Sequence, residues 1–231
     1  MMSEPKLFLL PEPQLEFAHS QLEEHPKDGL FLFGPAERGE HSETMKIGAI
    51  GPSDLLSLLD DFGTLVMGHI PPYVENRAHH AAFPGLEAAF GLRWPKSPSA
   101  RIQVSGSGLA KAIRLHNRHE AIKTAVDIYA DAIQSYLKQE ADVTPDFWFV
   151  VIPDEVFQWG RPTMIPPTTE RVKGMATLRE KTAKALLKSP SMFAEDNEEA
   201  ELQLYDLNFH NQLKARLLNT APVQVIRERT L

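Results

Sequence analysis

Phe147-Trp148-Phe149-Val150-Val151-Ile152, set between Asp146 and Pro153, is apolar without alternation, the pattern of a central strand in a parallel sheet covered on both faces. Lys46 to Pro52 is a second short apolar stretch, closed by a Gly-Pro turn. Ser53 then stands as the N-cap of an amphipathic helix through Leu55, Leu56, Leu58 and Leu59. Arg101 to Ser105 reads as another strand, with Gly106 and Gly108 as its turn. Beyond it Ile122, Ala125, Val126, Tyr129, Ile133, Tyr136 and Leu137 recur at helical spacing and predict one long helix from about His116 to Gln139. Near the C-terminus, Phe209, Leu213 and Leu217 form the apolar stripe of a helix from about Leu207 to Leu218. A turn at Asn219 to Pro222 and a strand from Val223 to Ile226 follow.

The remaining stretches have weaker periods. Leu7 to Pro35 is punctuated by Pro11, Pro13 and Pro26, carries the short apolar run Leu30 to Phe33, and reads as extended segments and turns without helix. Ile70 to Pro98 reads as loop with one short helix near Leu86 to Phe90. Arg161 to Pro167 reads as loop, Glu170 to Leu187 as a basic helix, and the acids from Glu195 to Glu201 as a solvated face or linker. Strands alternating with helices predict an α/β fold, a Rossmann-like parallel sheet flanked by helices, in residues 45–231. Residues 1–44 form an extended N-terminal segment outside it.

Composition narrows the function classes. The chain has 231 residues, 42% hydrophobic and 24% charged, enough for one large domain or two small ones. Lys and Arg total 24 against 31 Asp and Glu, so the overall field repels polyanions, and any nucleic-acid contact has to be local. The clear local excess of base is C-terminal: Lys214, Arg216, Arg227 and Arg229 against Glu228. With no cysteine, disulfide scaffolds, thiolate metal sites and cysteine nucleophiles are excluded. No run approaches the roughly 18 apolar residues of a membrane span, and the N-terminus lacks a signal-peptide pattern. A cytoplasmic protein is expected.

The basic C-terminal region also holds the strongest candidate site. His210 and Lys214, four residues apart, share one helix face beside the Phe209 stripe. Gln224 interrupts the strand that follows, where an unpaired amide would cost on the order of 1–3 kcal/mol if buried, so a hydrogen-bond partner is expected for it. Lys as a point charge, His as a directional donor and Gln as an adaptable amide can surround one phosphate. The same three residues also fit an exposed His-Lys pair and a capped Gln.

Other constellations carry less. His116, His119 and Glu120 lack further metal ligands, and the adjacent His79 and His80 diverge in any regular element. Gly106-Ser107-Gly108 falls far short of a phosphate-binding fingerprint and reads as turn chemistry. Asp146, Asp154 and Glu155 have no convergent partners for a metal-dependent nuclease; Asp154, after Pro153, is expected to form a turn or cap a helix. No catalytic residue and no protein metal site is assigned.

Leu10-Pro11-Glu12-Pro13-Gln14-Leu15-Glu16-Phe17, Pro26-Lys27-Asp28-Gly29-Leu30 and Phe33-Gly34-Pro35 resemble the L2-like segment that leads into the MID domain of prokaryotic Argonautes. Lys46 to Pro52, Phe83-Pro84-Gly85, Asp146 to Glu155, Phe209 to Arg216 and Pro222 to Glu228 are similar to short Argonautes in order and approximate spacing. The resemblance implies a non-catalytic MID-like module. His210, Lys214 and Gln224 match three positions of its 5′-phosphate pocket, and Arg227 and Arg229 are placed to meet following phosphates. It further implies a short 5′-phosphorylated guide RNA or DNA and a bridging Mg2+. As partners it implies a PIWI half and a Sir2, TIR or nuclease effector of prokaryotic defence. The sequence reaches Leu231 before the second pocket lysine, the C-terminal carboxylate and the PIWI domain of that family, and His25 stands where the family has an acid. The other expected function is a protein-interaction scaffold, in which the N-terminal segment and the aromatics Tyr73, Phe83, Phe90 and Trp94 dock a PIWI half or an effector.

Overall fold

A computed structural model of the chain describes residues 13–36, 44–72, 82–139, 144–164, 180–203 and 205–231. Its elements, in chain order, are β1 (Leu15–Phe17), β2 (Gln21–Glu23), α1 (Pro26–Leu32), β3 (Ile47–Gly51), α2 (Ser53–Met67), α3 (Leu86–Phe90), β4 (Ala100–Gln103) and α4 (Gly106–Ile113). Then come α5 (Arg118–Gln139), β5 (Phe147–Ile152), α6 (Asp154–Trp159), α7 (Glu180–Lys188), α8 (Ala194–Gln203), α9 (Phe209–Leu217) and β6 (Val223–Arg227). The chain gathers into two compact units: Met1–Met45 with Gly63–Trp94, and Lys46–Phe62 with Pro95–Leu231.

In the first unit β1 and β2 pair antiparallel, Phe17 opposite Gln21. The expectation of extended chain without helix fails at α1. Pro26 occupies the first helical position, where its missing N–H is not needed. Gly29 lies so close to Phe17 that a Cβ there would come within 2.2 Å of the ring, so α1 folds down onto the buried Phe17. The short helix expected near Leu86 to Phe90 is α3.

The second unit is an α/β domain: a four-stranded, all-parallel sheet in the order β4-β3-β5-β6, flanked by helices in the Rossmann-like manner. β5 lies between β3 and β6, and Trp148 to Ile152 are buried. On one face Ile50, Trp148, Val150, Ile152, Val223 and Val225 share a core with α4, α5 and α9. On the other face, Leu56 of α2 packs over Gly51, its Cδ2 3.6 Å from where a Cβ there would lie. The larger apolar side chains Ile122, Val126, Tyr129 and Ile133 of α5 are fully buried. At about 1.5–3 kcal/mol per buried large apolar side chain, that burial outweighs the at most about 0.7 kcal/mol that each β-branched residue costs a helix.

Three boundaries differ from the sequence pattern. Gly106-Ser107-Gly108 is not a turn but the opening of α4, because Ser105 Oγ accepts the Gly108 N–H at 3.0 Å and caps the helix; a cap of this kind contributes about 1 kcal/mol. The long helix starts at Arg118 instead of His116. Asn117 Oδ1 accepts from the N–H groups of His119 (3.1 Å) and Glu120 (3.4 Å), which sets the start. Of the two readings of the acidic run, the solvated face holds and the linker does not: it forms α8, which buries Ala200 and exposes Glu195, Asp196, Glu198 and Glu201. Of the expected basic helix, Glu180 onward is α7 and the earlier part lies outside the described residues. Among the described residues no helix is long and apolar enough to cross a membrane.

Candidate functional site

Open parallel sheets bind ligands outside the carboxyl ends of their strands. At that edge β5 passes through Pro153 into α6, and β6 passes through Arg227 into a short 3-10 turn, Glu228–Thr230. Two grooves adjoin there, of about 360 and 420 Å³. They share Phe157 and Arg161. The first is lined further by Asp154, Gln158, Met164, Arg227 and Arg229, the second by Pro162, Thr163, Asn208, His210 and Asn211.

Phe157 is the hub of the two grooves. The Arg161 guanidinium lies over its ring at 4.0 Å from the centroid and that of Arg227 at 4.8 Å; the His210 ring meets it edge-on at 5.8 Å. Cation–π contacts at exposed sites contribute only about 0.5–1 kcal/mol each, so the ring orients the two cations without neutralising them. Among the described residues neither Arg161 nor Arg227 has a carboxylate partner. Arg227 Nε donates to Thr230 Oγ1 at 3.4 Å. The third arginine, Arg229, is paired through Nε with Asp154 Oδ2 at 2.5 Å.

Local packing places each of these groups. Asn208 caps α9, its Oδ1 accepting the Asn211 N–H at 3.1 Å. Phe209, Leu213 and Leu217 are fully buried, as the stripe predicts. Phe209 meets Tyr129 edge-on at 5.9 Å and donates its N–H to the Gly160 carbonyl at 3.0 Å, which ties the start of α9 to the end of α6. Arg118 holds the same region from below, donating to the carbonyls of Ile113 (2.8 Å) and Trp159. His210 is therefore fixed beside Phe157, half-buried. Burial first, then the charges of Arg161 and Lys214, holds its imidazole below the usual histidine range.

His210, Arg227 and Arg229 thus come to the carboxyl edge, and Lys214 adds its charge from one turn along α9. Gln224 is placed elsewhere. Side chains alternate along a strand, and Val223 and Val225 both join the core under α9, so Gln224 turns to the opposite face. It is exposed there and donates Nε2–H to the Val225 carbonyl at 3.2 Å. Neither Lys214 nor Gln224 lines a groove. Phe157 and Arg161 were not singled out by sequence; their one usable signal was their position just after the central parallel strand. Asp154 opens α6 without capping it, the N-cap position being Pro153.

The weaker candidates also find their places. His119 turns Nδ1 to the Tyr205 carbonyl at 2.6 Å, His116 is exposed ahead of α5, and His79, His80 and Tyr73 lie outside the described residues. Lys46 N–H donates to Asp146 Oδ2 at 3.1 Å, and Glu155 pairs with Arg114. Trp94 is half-buried over Gly63. No protein-family model matches the chain, and no match to a curated protein was found.

Proposed function

We propose that the chain is a non-catalytic module that holds the 5′-phosphate end of a short nucleic acid at the carboxyl edge of its sheet. The observation that carries this reading is the pair of guanidinium groups, Arg161 and Arg227, on one Phe157 ring with no carboxylate partner among the described residues. Two like charges that line one groove favour an anion in it. His210 supplies a directional donor from the adjoining groove, Lys214 adds positive charge, and Arg229 meets a following phosphate. Contacts of this kind fix register without reading sequence.

The resemblance to short Argonautes agrees with this use of the α9–β6 region. It suggests a 5′-phosphorylated guide RNA or DNA in the cytoplasm, a PIWI half, and a Sir2, TIR or nuclease effector in prokaryotic defence. The divalent ion implied by the same resemblance has no donor set of three His, Asp or Glu among the described residues, and Asp154, the acid of the grooves, is engaged by Arg229. No part of the proposal runs through a metal.

The test compares one oligonucleotide with a 5′-phosphate and with a 5′-hydroxyl, by fluorescence polarisation at equal salt. Charge-assisted hydrogen bonds partly open to water are worth roughly 1–2 kcal/mol, so Arg161→Ala and Arg227→Ala should each lower the phosphate preference about five- to thirtyfold. Lys138→Ala, at the far end of α5, should leave it unchanged, as should Gln224→Ala. Equal binding of the two oligonucleotides by the folded wild-type chain would sink the proposal. The scaffold reading is favoured by one observation, the exposure of Leu22, Phe31 and Leu32 on the N-terminal segment. In that case Phe31→Ser abolishes co-purification with a PIWI half and leaves phosphate binding intact.

A further inference from the structure

Asp154 is the one acid among the described residues that line the two grooves, an unfavourable group to find where an anion is to bind. Two neighbouring carboxylates among the described residues are engaged elsewhere. Glu155 pairs with Arg114, and Glu228 Oε2 accepts the backbone N–H of Asp154 at 3.2 Å. That last contact ties the turn after β6 to the start of α6, so Asp154 and Arg229 are held face to face by this side-chain-to-backbone bond as well as by charge. Their own contact, Arg229 Nε to Asp154 Oδ2, is 2.5 Å.

The pair sits at the groove rim. The Arg229 side chain is 77% exposed and that of Asp154 34%. Exposed ion pairs of this kind contribute little to stability, so the partner of Arg229 can be exchanged at low cost. Among the described residues two guanidiniums of the groove, those of Arg161 and Arg227, lack a carboxylate, while the third already has one.

We infer that Asp154 is a built-in competitor of the ligand: it occupies Arg229 in place of phosphate, and an incoming phosphate takes Arg229 over. The inference rests on the reading of the groove as a phosphate site. It gives the groove two states, one with two available arginines and one with three, and makes Asp154 the residue that sets binding strength. Arg229 is then a contact recruited by the ligand and not one that waits for it.

The full chain is titrated with a 5′-phosphorylated oligodeoxynucleotide of ten nucleotides and with its 5′-hydroxyl twin. The proteins are wild type, Asp154→Asn, Arg229→Ala, the double variant of these two, and Arg161→Ala. Removing one unit charge a few ångströms from the ligand in a mostly solvated groove should tighten binding of the phosphorylated strand about five- to twentyfold. Arg229→Ala should cost less than about threefold on its own, because Asp154 already offsets Arg229, but about tenfold or more in the Asp154→Asn background. That non-additivity is the signature of exchange. Additive effects would mean that Asp154 acts only as a distant charge. Weaker binding by Asp154→Asn would mean that it positions Arg229 for the ligand. Either result overturns the inference. Thermal melting confirms that each variant is folded. If wild type shows a 5′-phosphate preference that Arg161→Ala removes and Asp154→Asn leaves unchanged, this inference falls and the groove reading stands. If no protein of the set prefers the phosphorylated strand, both fall.

Discussion

Gly160 joins the two walls of the groove, and Gly160→Ala tests whether their contact shapes the site. Its backbone is at φ −78°, so alanine meets no conformational strain; the obstacle is space. A Cβ there would lie 2.5 Å from the Val156 carbonyl oxygen and 2.9 Å from Phe209 Cβ, about 1 Å and about half an ångström short of comfortable separations near 3.5 Å. Neither neighbour is the free end of a flexible side chain. Relief requires the end of α6 to move from the start of α9, which also stretches the Phe209 N–H to Gly160 carbonyl bond of 3.0 Å. Overpacking costs about 1–3 kcal/mol and the weakened bond up to about 1 kcal/mol. Loss of glycine's freedom in the unfolded chain returns about 0.4–1 kcal/mol, so the net destabilisation is about 1–3 kcal/mol. For a chain of this length that lowers the melting temperature by about 3–10 °C. Urea denaturation followed by circular dichroism gives the stability. The 5′-phosphate preference of the folded variant gives the consequence for the site, and it should fall because His210 rides on the displaced end of α9. Gly106→Ala is the control: its Cβ would find only Pro52 carbons at 3.7 and 3.8 Å, at the first position of α4, and should leave stability unchanged or raise it by up to about 1 kcal/mol. A Gly160→Ala protein as stable as wild type, with its phosphate preference intact, would refute the reasoning.

His210 should titrate below the ordinary histidine value near 6.5, since burial and then Arg161 and Lys214 disfavour its charge. The unfolded chain then takes up the proton first, so the His210 contribution to stability is full above about pH 6.5 and is lost as pH falls towards its folded value; His210→Asn should flatten that acid limb. Nuclear magnetic resonance of the ring should show its midpoint moving up when a 5′-phosphorylated oligonucleotide binds, and no movement would remove His210 from the proposed anion site. Tyr129 is pushed well above the usual tyrosine value by burial, so it ionises on unfolding and stability declines as pH rises past about 10. Tyr129→Phe should lose about 1 kcal/mol at neutral pH, because the Val151 carbonyl loses a donor at 3.0 Å, and should show a shallower alkaline decline in denaturant midpoint.

Most of the α/β domain was legible in the sequence, because its signals are local. An unbroken apolar run marks a doubly covered strand whatever surrounds it, and β5 appears where Phe147 to Ile152 predicts it. The apolar spacing of α5 and α9 likewise follows from the 3.6-residue period. Where local signals compete, packing or a cap decided. α1 forms among prolines because Gly29 admits Phe17, and two glycines open α4 because the Ser105 cap holds them.

The site was legible only in part, since it is made by neighbours in space. Spacing on one helix sufficed to join His210 with Lys214. No spacing rule carries across a sheet, where one residue of alternation decides the face, and it is alternation that sends Gln224 to the side opposite α9. Phe157 and Arg161 sit about fifty residues before His210 in the chain, and only the parallel crossover from β5 through α9 to β6 brings α6 beside Arg227 and α9. Composition showed that any anion site in so acidic a chain had to be local. Which cations would be left without a carboxylate depended on side-chain pairing that the folded chain alone determines: Arg114 takes Glu155 and Arg229 takes Asp154, and Arg161 and Arg227 have no carboxylate partner among the described residues.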